Sequence, residues 1–174
     1  MLRTMARRRI SCVVAMDAER RPRGIFTERD AVRLLATEGG FAERPVCEVM
    51  SRPVLTLPVS VDARDAYQHM LEHGVHHLVG VDAQGRVAGV ISEGDFLAHL
   101  GDEYLVEVKT VGAAMTQSVN MLDSGALLIE ALRLMQQHDS DHVVVTEADA
   151  PVGMVTDRDV VRFTGGGGSL RTPL

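Results

Sequence analysis

The chain has 174 residues, 45% of them apolar and 24% charged, and a formal net charge of −6. Its length and apolar content suffice for a sizeable core, which two Tyr, four Phe and no Trp make largely aliphatic, with nine Met as filler. The acidic balance argues against general nucleic-acid binding, and with no apolar run of membrane-spanning length and no signal peptide the expected setting is the cytoplasm.

In chain order, Leu2, Met5 and Ala6 mark one face of a short helix. Arg3, Arg7, Arg8 and Arg9 crowd it, and Arg20, Arg21 and Arg23 follow at a hairpin turn; a solvated basic face is the reading, with a polyanion site as the alternative. Gly24-Ile25-Phe26-Thr27-Glu28-Arg29-Asp30 then closes a strand, and Ala31 to Leu35 continue as a helix. Val54-Leu55-Thr56-Leu57 reads as a short strand, and Ala63, Ala66, Tyr67, Met70 and Leu71 form the stripe of an amphipathic helix. Leu78 to Val81 and Val87 to Ile91 flank the turn Asp82-Ala83-Gln84-Gly85 as a β-hairpin. Gly89-Val90-Ile91-Ser92-Glu93-Gly94-Asp95 and the helix Phe96 to Leu100 follow. The series then runs again: the stripe Leu128, Ala131, Leu132, Met135, Gln136, the run Val143 to Val145, Gly153-Met154-Val155-Thr156-Asp157-Arg158-Asp159, and a helix through Val160 to Phe163.

These segments are three copies of one unit. The motif hydroxyl recurs at Thr27, Ser92 and Thr156, spaced by 65 and then 64 residues, and Met5, Met70 and Met135 keep the same step. The unit is β-α-β-β-α. Residues 1–36 form a partial repeat without its opening strand, 46–100 and 111–164 are complete repeats, 37–45 and 101–110 are linkers, and 165–174 is a flexible tail or linker begun by Thr164-Gly165-Gly166-Gly167-Gly168-Ser169. The register puts Met1 inside a helix and Pro173 where Pro45 stands before the second repeat. A longer chain with a fourth repeat is therefore expected, although a misassigned start gives the same register.

Each motif ends a strand and opens a helix, where amide hydrogens carry partial positive charge and donate readily to phosphate. A Thr or Ser at that corner can donate to a phosphate oxygen. An Asp one turn on, acceptor-only when ionised, suits two adjacent hydroxyls such as those of ribose. A hydroxyl followed three residues later by an acid is also a capping box, which needs no ligand. Three copies, always with Asp, favour a ligand, with the hydroxyl serving both roles.

With these residues in view, the repeats resemble cystathionine-β-synthase (CBS) domains. The three Gly-h-h-Thr/Ser-x-x-Asp blocks carry the resemblance over nearly the whole chain, supported by Val49-Met50-Ser51, Ala114-Met115-Thr116 and Gly74-Val75-His76-His77-Leu78. It implies an α/β (α+β) fold of tandem repeats packed pairwise about a pseudo-twofold axis, with clefts for adenosine-containing ligands. It places ribose on Asp95 and Asp159 and phosphate near Ser92 and Thr156. Adenine would lie against Ser51, Thr56 and His77 in the second repeat and Thr116, Met121 and His142 in the third. Thr27 and Asp30 mark an incomplete first cleft, which lacks its adenine-side strand. Met121 departs from the small or hydroxyl residue usual there, and Asp139-Ser140-Asp141 would oppose a polyphosphate. Arg29 and Arg158 are candidate phosphate ligands, with a solvent-exposed first turn as the equal alternative. Repeat order and the linker Gly101-Asp102-Glu103-Tyr104 resemble sensory halves of bacterial signalling proteins such as diguanylate cyclases.

His69 and His73, four apart on one helix, form a zinc half-site that no Cys or carboxylate completes into a recognisable pattern, so no metal ligands are assigned. Cys12 and Cys47 have no motif spacing and read as buried free thiols. No nucleophile–base pair, carboxylate dyad or P-loop is found, so no catalytic residue is assigned and no enzyme is expected. The expected function is a regulatory module with no required cofactor. It senses AMP, ADP, ATP or S-adenosylmethionine, associates as a homodimer, controls an attached or partner effector, and binds neither nucleic acid nor membrane. The alternatives are a structural dimerisation module with vestigial clefts and a metal-responsive regulator using the stretch from His69 to His77.

Overall fold

The computed structural model describes residues 1–38, 44–100 and 110–174, so most of both linkers, including Gly101 to Tyr104, lies outside the described residues. The fold is mixed α/β. Its elements are α1 (Leu2–Arg8), β1 (Cys12–Met16), β2 (Pro22–Thr27), α2 (Glu28–Glu38), α3 (Val46–Val49), β3 (Thr56–Pro58), α4 (Ala63–Glu72), β4 (His77–Val81), β5 (Val87–Ser92), α5 (Glu93–Leu100), α6 (Val111–Ala114), β6 (Met121–Asp123), α7 (Leu128–Gln137), β7 (His142–Glu147), β8 (Ala150–Thr156) and α8 (Asp157–Gly165). The β-α-β-β-α unit thus appears twice in full as β3-α4-β4-β5-α5 and β6-α7-β7-β8-α8. Each full unit carries a sheet in which a parallel first strand joins an antiparallel hairpin, with orders β3-β4-β5 and β6-β7-β8.

The chain divides into two compact units that do not follow the repeat boundaries. Unit one comprises Met1–Val13, Phe26–Met50 and Gln117–Leu174, and unit two comprises Val14–Ile25 and Ser51–Thr116.

In unit one the helices of the first and third repeats pack together: α1 against α8, and α2 against both α7 and α8. By the 65-residue register α1 corresponds to α7 and α2 to α8, so a pseudo-twofold axis exchanges the α1–α8 and α2–α7 pairs. The stripe residues explain the packing. Leu128, Ala131, Leu132 and Met135 of α7 are all buried, and Leu128 and Leu132 share a core with Leu2, Met5, Phe26, Ala31, Val32, Leu35, Val160 and Val161. Gly165 lets α1 and α8 approach: a Cβ there would sit 2.9 Å from Ala6 Cβ and 3.0 Å from the Leu2 carbonyl oxygen, closer than such atoms tolerate.

The segment 165–174, expected as a flexible tail or linker, is docked. Gly167 turns the chain at φ +95°, and the Phe163 ring lies where a side chain on Gly168 would go. The Leu128 and Ile129 amides, which α7 itself leaves without acceptors, donate to the carbonyls of Thr172 and Leu170, each at 2.9 Å. Leu170 and Leu174 pack on the adjoining core.

In unit two Ala66, Met70, Leu78 and Phe96 form the buried core beneath β3-β4-β5, and the Tyr67 and Phe96 rings meet at 5.3 Å between centroids. Asp82 shapes the β4–β5 turn by accepting from the Gln84 and Arg86 amides at 3.0 and 2.9 Å, with Gly85 at φ +75°. Residues of the first hairpin join this unit. Ile25 and Ser51 exchange backbone bonds of 3.1 and 2.8 Å, and the Val87 amide donates to the Arg20 carbonyl at 2.8 Å. The first strand of the repeat is observed as Thr56–Pro58 rather than 54–57, although the Leu55 carbonyl already accepts from the Val79 amide at 3.1 Å.

Candidate functional site

Each of the three strand-to-helix corners has the same local geometry. The helix begins at the residue after the hydroxyl, and one carboxylate oxygen collects both donors of that hydroxyl residue. Asp30 Oδ2 accepts from the Thr27 amide and Oγ1, both at 2.9 Å. Asp95 Oδ2 accepts from the Ser92 amide at 2.8 Å and Oγ at 2.7 Å. Asp159 Oδ2 accepts from the Thr156 amide at 3.1 Å and Oγ1 at 2.6 Å. The first helical amide of each corner is also tied down: Glu28 to the Ser11 carbonyl at 3.0 Å, Glu93 to His76 at 3.2 Å, and Asp157 to Asp141 at 3.0 Å. In the first and third corners the Asp30 and Asp159 amides also donate to the Thr27 and Thr156 hydroxyls, each at 3.3 Å, so there the motif is at the same time a capping box. In one respect this differs from the sequence expectation: each hydroxyl proton is given to the aspartate, which leaves none for an anion near Ser92 or Thr156.

The second carboxylate oxygen separates the corners. Asp30 is buried and its Oδ1 accepts from Arg33 Nη2 at 3.2 Å, one helical turn on. Asp95 and Asp159 are exposed, and their Oδ1 atoms have no hydrogen-bond partner among the described residues. Bonds from the Ser92 hydroxyl and amide hold the Asp95 carboxyl below the ordinary range. A depressed carboxylate keeps its stabilising bonds as pH falls through the unfolded-state value of ~3.9 and loses them below it. An NMR titration of the Asp95 carboxyl carbon should therefore give a midpoint below that of an unstructured Asp. Ser92→Ala should raise it, and a wild-type midpoint at the ordinary value contradicts the bond.

Around these corners the predicted ligand residues take repeated places. His77 lies opposite Ser92 in the β4–β5 pairing and His142 opposite Thr156 in β7–β8. Burial, with some repulsion from His76, pushes the His77 imidazole below its usual pKa, against the pull of Asp95. A neutral ring is the result at pH 7. His142 Nδ1 lies 2.8 Å from Asp141 Oδ1. Thr56 and Met121 are equivalent first-strand positions, paired with Val79 and Val144. Ser51 is held by its bridge to Ile25. Thr116 belongs to unit two, whereas Met121, His142, Thr156 and Asp159 belong to unit one.

Arg29 and Arg158, considered above for phosphate, join the first and third repeats within unit one. Arg29 Nη2 meets the Asp139 carbonyl at 2.9 Å and its carboxylate at 3.3 Å, and Arg158 Nε lies 3.8 Å from Glu28 Oε2. Asp139 thus has a structural partner. In the first corner Cys12 stands where the other repeats carry His77 and His142, and burial raises its thiol pKa to about 11. Cys47, expected to be buried, is exposed on the one-turn helix α3, which is too short to bury its whole circumference.

Asp159 also lines a cavity of about 190 Å³ with Leu128, Val155, Val160, Phe163 and the tail residues Thr172 and Pro173. A larger cleft of about 400 Å³ is walled by Arg3, Arg7, Arg162 and Gly165 to Gly167. On α4, His69, Glu72 and His73 place their ligand-type atoms within 4.8 Å of one another. The sequence analysis names the histidine pair and finds no carboxylate that completes a recognisable pattern; in the structure Glu72 stands beside the pair. Its position three residues after His69 was the available signal.

The CBS-domain family model matches residues 1–37, 46–102 and 108–166, so this chain belongs to the CBS-domain family, a family of regulatory modules. Protein MJ1225 of Methanocaldococcus jannaschii has a similar solved structure, with TM-score 0.78 at 21% identity over 94% of this chain and 64% of that one. Among curated proteins, the uncharacterized protein MK0525 of Methanopyrus kandleri is 30% identical over 89 residues, covering 51% of this chain and 45% of its own. Inosine-5'-monophosphate dehydrogenase of Aquifex aeolicus is 31% identical over 134 residues, covering 73% of this chain and 26% of its own. The chain thus spans less than half the length of these two curated relatives. No described helix is long and apolar enough to cross a membrane.

Proposed function

We propose that this chain is a ligand-sensing regulatory module that takes an adenosine-containing nucleotide, AMP, ADP, ATP or S-adenosylmethionine, at the corners of its second and third repeats. The observation that carries this reading is the pair of outward Oδ1 atoms on Asp95 and Asp159, each on a carboxylate whose other oxygen is fixed. Such a group accepts from a ribose diol without first having to be oriented. Ser51, Thr56 and His77 supply the base side of the second-repeat corner, and Met121 and His142 that of the third. The Thr27–Asp30 corner resembles them in form but has its second oxygen on Arg33, so it serves as structure. Binding biases an attached or partner effector by linkage, with couplings typically of about 1–3 kcal/mol. The chain acts as a cytoplasmic sensor within a bacterial signalling protein rather than as a catalyst.

Thermal melts of the whole chain in chelator-containing buffer, with AMP, ATP and S-adenosylmethionine each at millimolar concentration, test the reading. A ligand at 100 times its Kd stabilises by about 2.7 kcal/mol, and an unchanged melting temperature with all three would sink it.

Homodimerisation has its own support. Met121, Val144 and Met154 lie side by side across β6-β7-β8, and Met121 and Met154 are 60% and 56% exposed. Val79, equivalent to Val144 by register, is fully buried in unit two, so the third sheet presents an apolar ladder that a second copy fits. Sedimentation should show a dimer that Met154→Glu weakens at least tenfold; a wild-type monomer at high concentration rules it out.

A further inference from the structure

We propose that the last turn of α4 is a binding site for a zinc-class divalent transition ion, held by His69, Glu72 and His73. Three independent features meet there. The first is geometry: all three ligand-type atoms lie within 4.8 Å of one another, and the His69 and His73 ring centroids are 4.2 Å apart. A tetrahedral ion with bonds of ~2.0–2.2 Å needs ligands roughly 3.3–3.6 Å apart. Half-buried and exposed side chains on one turn close that gap by small χ adjustments.

The second feature is orientation by neighbours. His73 Nδ1 lies 2.9 Å from the His69 carbonyl. A carbonyl only accepts, so Nδ1 carries the hydrogen and the neutral ring turns the Nε2 lone pair outward. Gln68 Nε2 donates to Glu72 Oε1 at 3.0 Å, leaving Oε2 on the side of His69, whose Nδ1 is 4.0 Å away. Supporting bonds of this kind fix the ring tautomer and the carboxylate rotamer in metal sites.

The third feature is the field. The group sits at the C-terminal end of α4, where helix carbonyls favour positive charge. Two imidazoles and one carboxylate suit Zn²⁺ and its neighbours and are a poor match for Mg²⁺ or Ca²⁺, which prefer oxygen ligands. The adjoining face of α4 buries Ala66 and Met70, so the ion would attach to a helix already anchored in the unit-two core. Coordination leaves a fourth position for water.

The experiment titrates the whole chain with Co²⁺, a spectroscopic stand-in for Zn²⁺, and follows the visible ligand-field bands and the melting temperature. The expected result is one equivalent bound with tetrahedral-type bands, displaced by Zn²⁺ but not by Mg²⁺. His69→Ala and His73→Ala should each weaken binding by on the order of tenfold or more, as ligand loss does, and Glu72→Gln should do the same. His138→Ala should leave it unchanged. Because the three ligands lie at the surface, circular dichroism should show each variant folded. Binding that survives the His69→Ala/His73→Ala double variant overturns the assignment. So does a sulfur-to-cobalt charge-transfer band lost in Cys47→Ser, which would place the ion on the exposed thiol. The chelator present in the nucleotide melts keeps that test separate from this one.

Discussion

Replacing both Asp95 and Asp159 by alanine is expected to abolish the thermal stabilisation that the adenosine ligand gives the wild-type chain, a loss of about 2.7 kcal/mol at 100 times Kd. Without ligand the double variant should also lose stability, roughly 1 kcal/mol per corner, because each substitution removes the exposed partner of a helix cap. Asp30→Ala should behave in the opposite way. That carboxylate is buried and accepts from the Thr27 amide, the Thr27 hydroxyl and Arg33. Its removal strands part-buried donors at a cost of about 1–3 kcal/mol each and should leave the ligand-induced shift intact. Differential scanning fluorimetry with and without AMP reads both effects. Equal ligand shifts in the Asp95→Ala/Asp159→Ala variant and the wild type would refute the role given to these acids, even if the nucleotide binds elsewhere.

Phe26→Ala is expected to lower stability by about 3–5 kcal/mol, the range for emptying a fully buried aromatic position. Phe26 is 0% exposed and sits at the end of β2 among Leu2, Met5, Leu132 and Val160, where strand and helices from two repeats converge. For a chain of this length each kcal/mol moves the melting temperature by roughly 2–4 °C, so a drop of about 6–20 °C should be measured. Leu97→Ala, at a site 62% exposed, is the control and should change little. A Phe26→Ala shift no larger than that of Leu97→Ala would mean that the aromatic ring is not the keystone of this core.

The repeat and its elements were legible because they depend on local pattern. The stripe from Ala63 to Leu71 and that from Leu128 to Gln136 became α4 and α7, and every Gly-to-Asp motif closed a strand and started a helix. What sequence did not disclose depends on long-range geometry. Nothing local to α1 and α8 states that they pair, since the decisive atom is a Cβ missing from Gly165 beside Leu2 and Ala6. A run of glycines reads as a flexible tail or linker, whereas here it relieves crowding and turns the chain back so that Leu170 and Thr172 accept from α7. Likewise the Thr/Ser and Asp of each motif were recognised, but whether the acid's second oxygen faces Arg33 or solvent is a matter of tertiary placement. Glu72 escaped notice because a carboxylate near a histidine pair is common on exposed helices, and only its Gln68 contact shows how it is aimed.

The corner carboxylates have a further consequence. With Oδ2 committed to Ser92 or Thr156, the side chains of Asp95 and Asp159 have already surrendered their rotational freedom during folding, so a guest molecule does not have to quench it again. Any tug on the outward oxygen is passed through the same rigid carboxyl plane to the first turn of α5 or α8. A group that met a guest there would also be the one that decides where its helix begins.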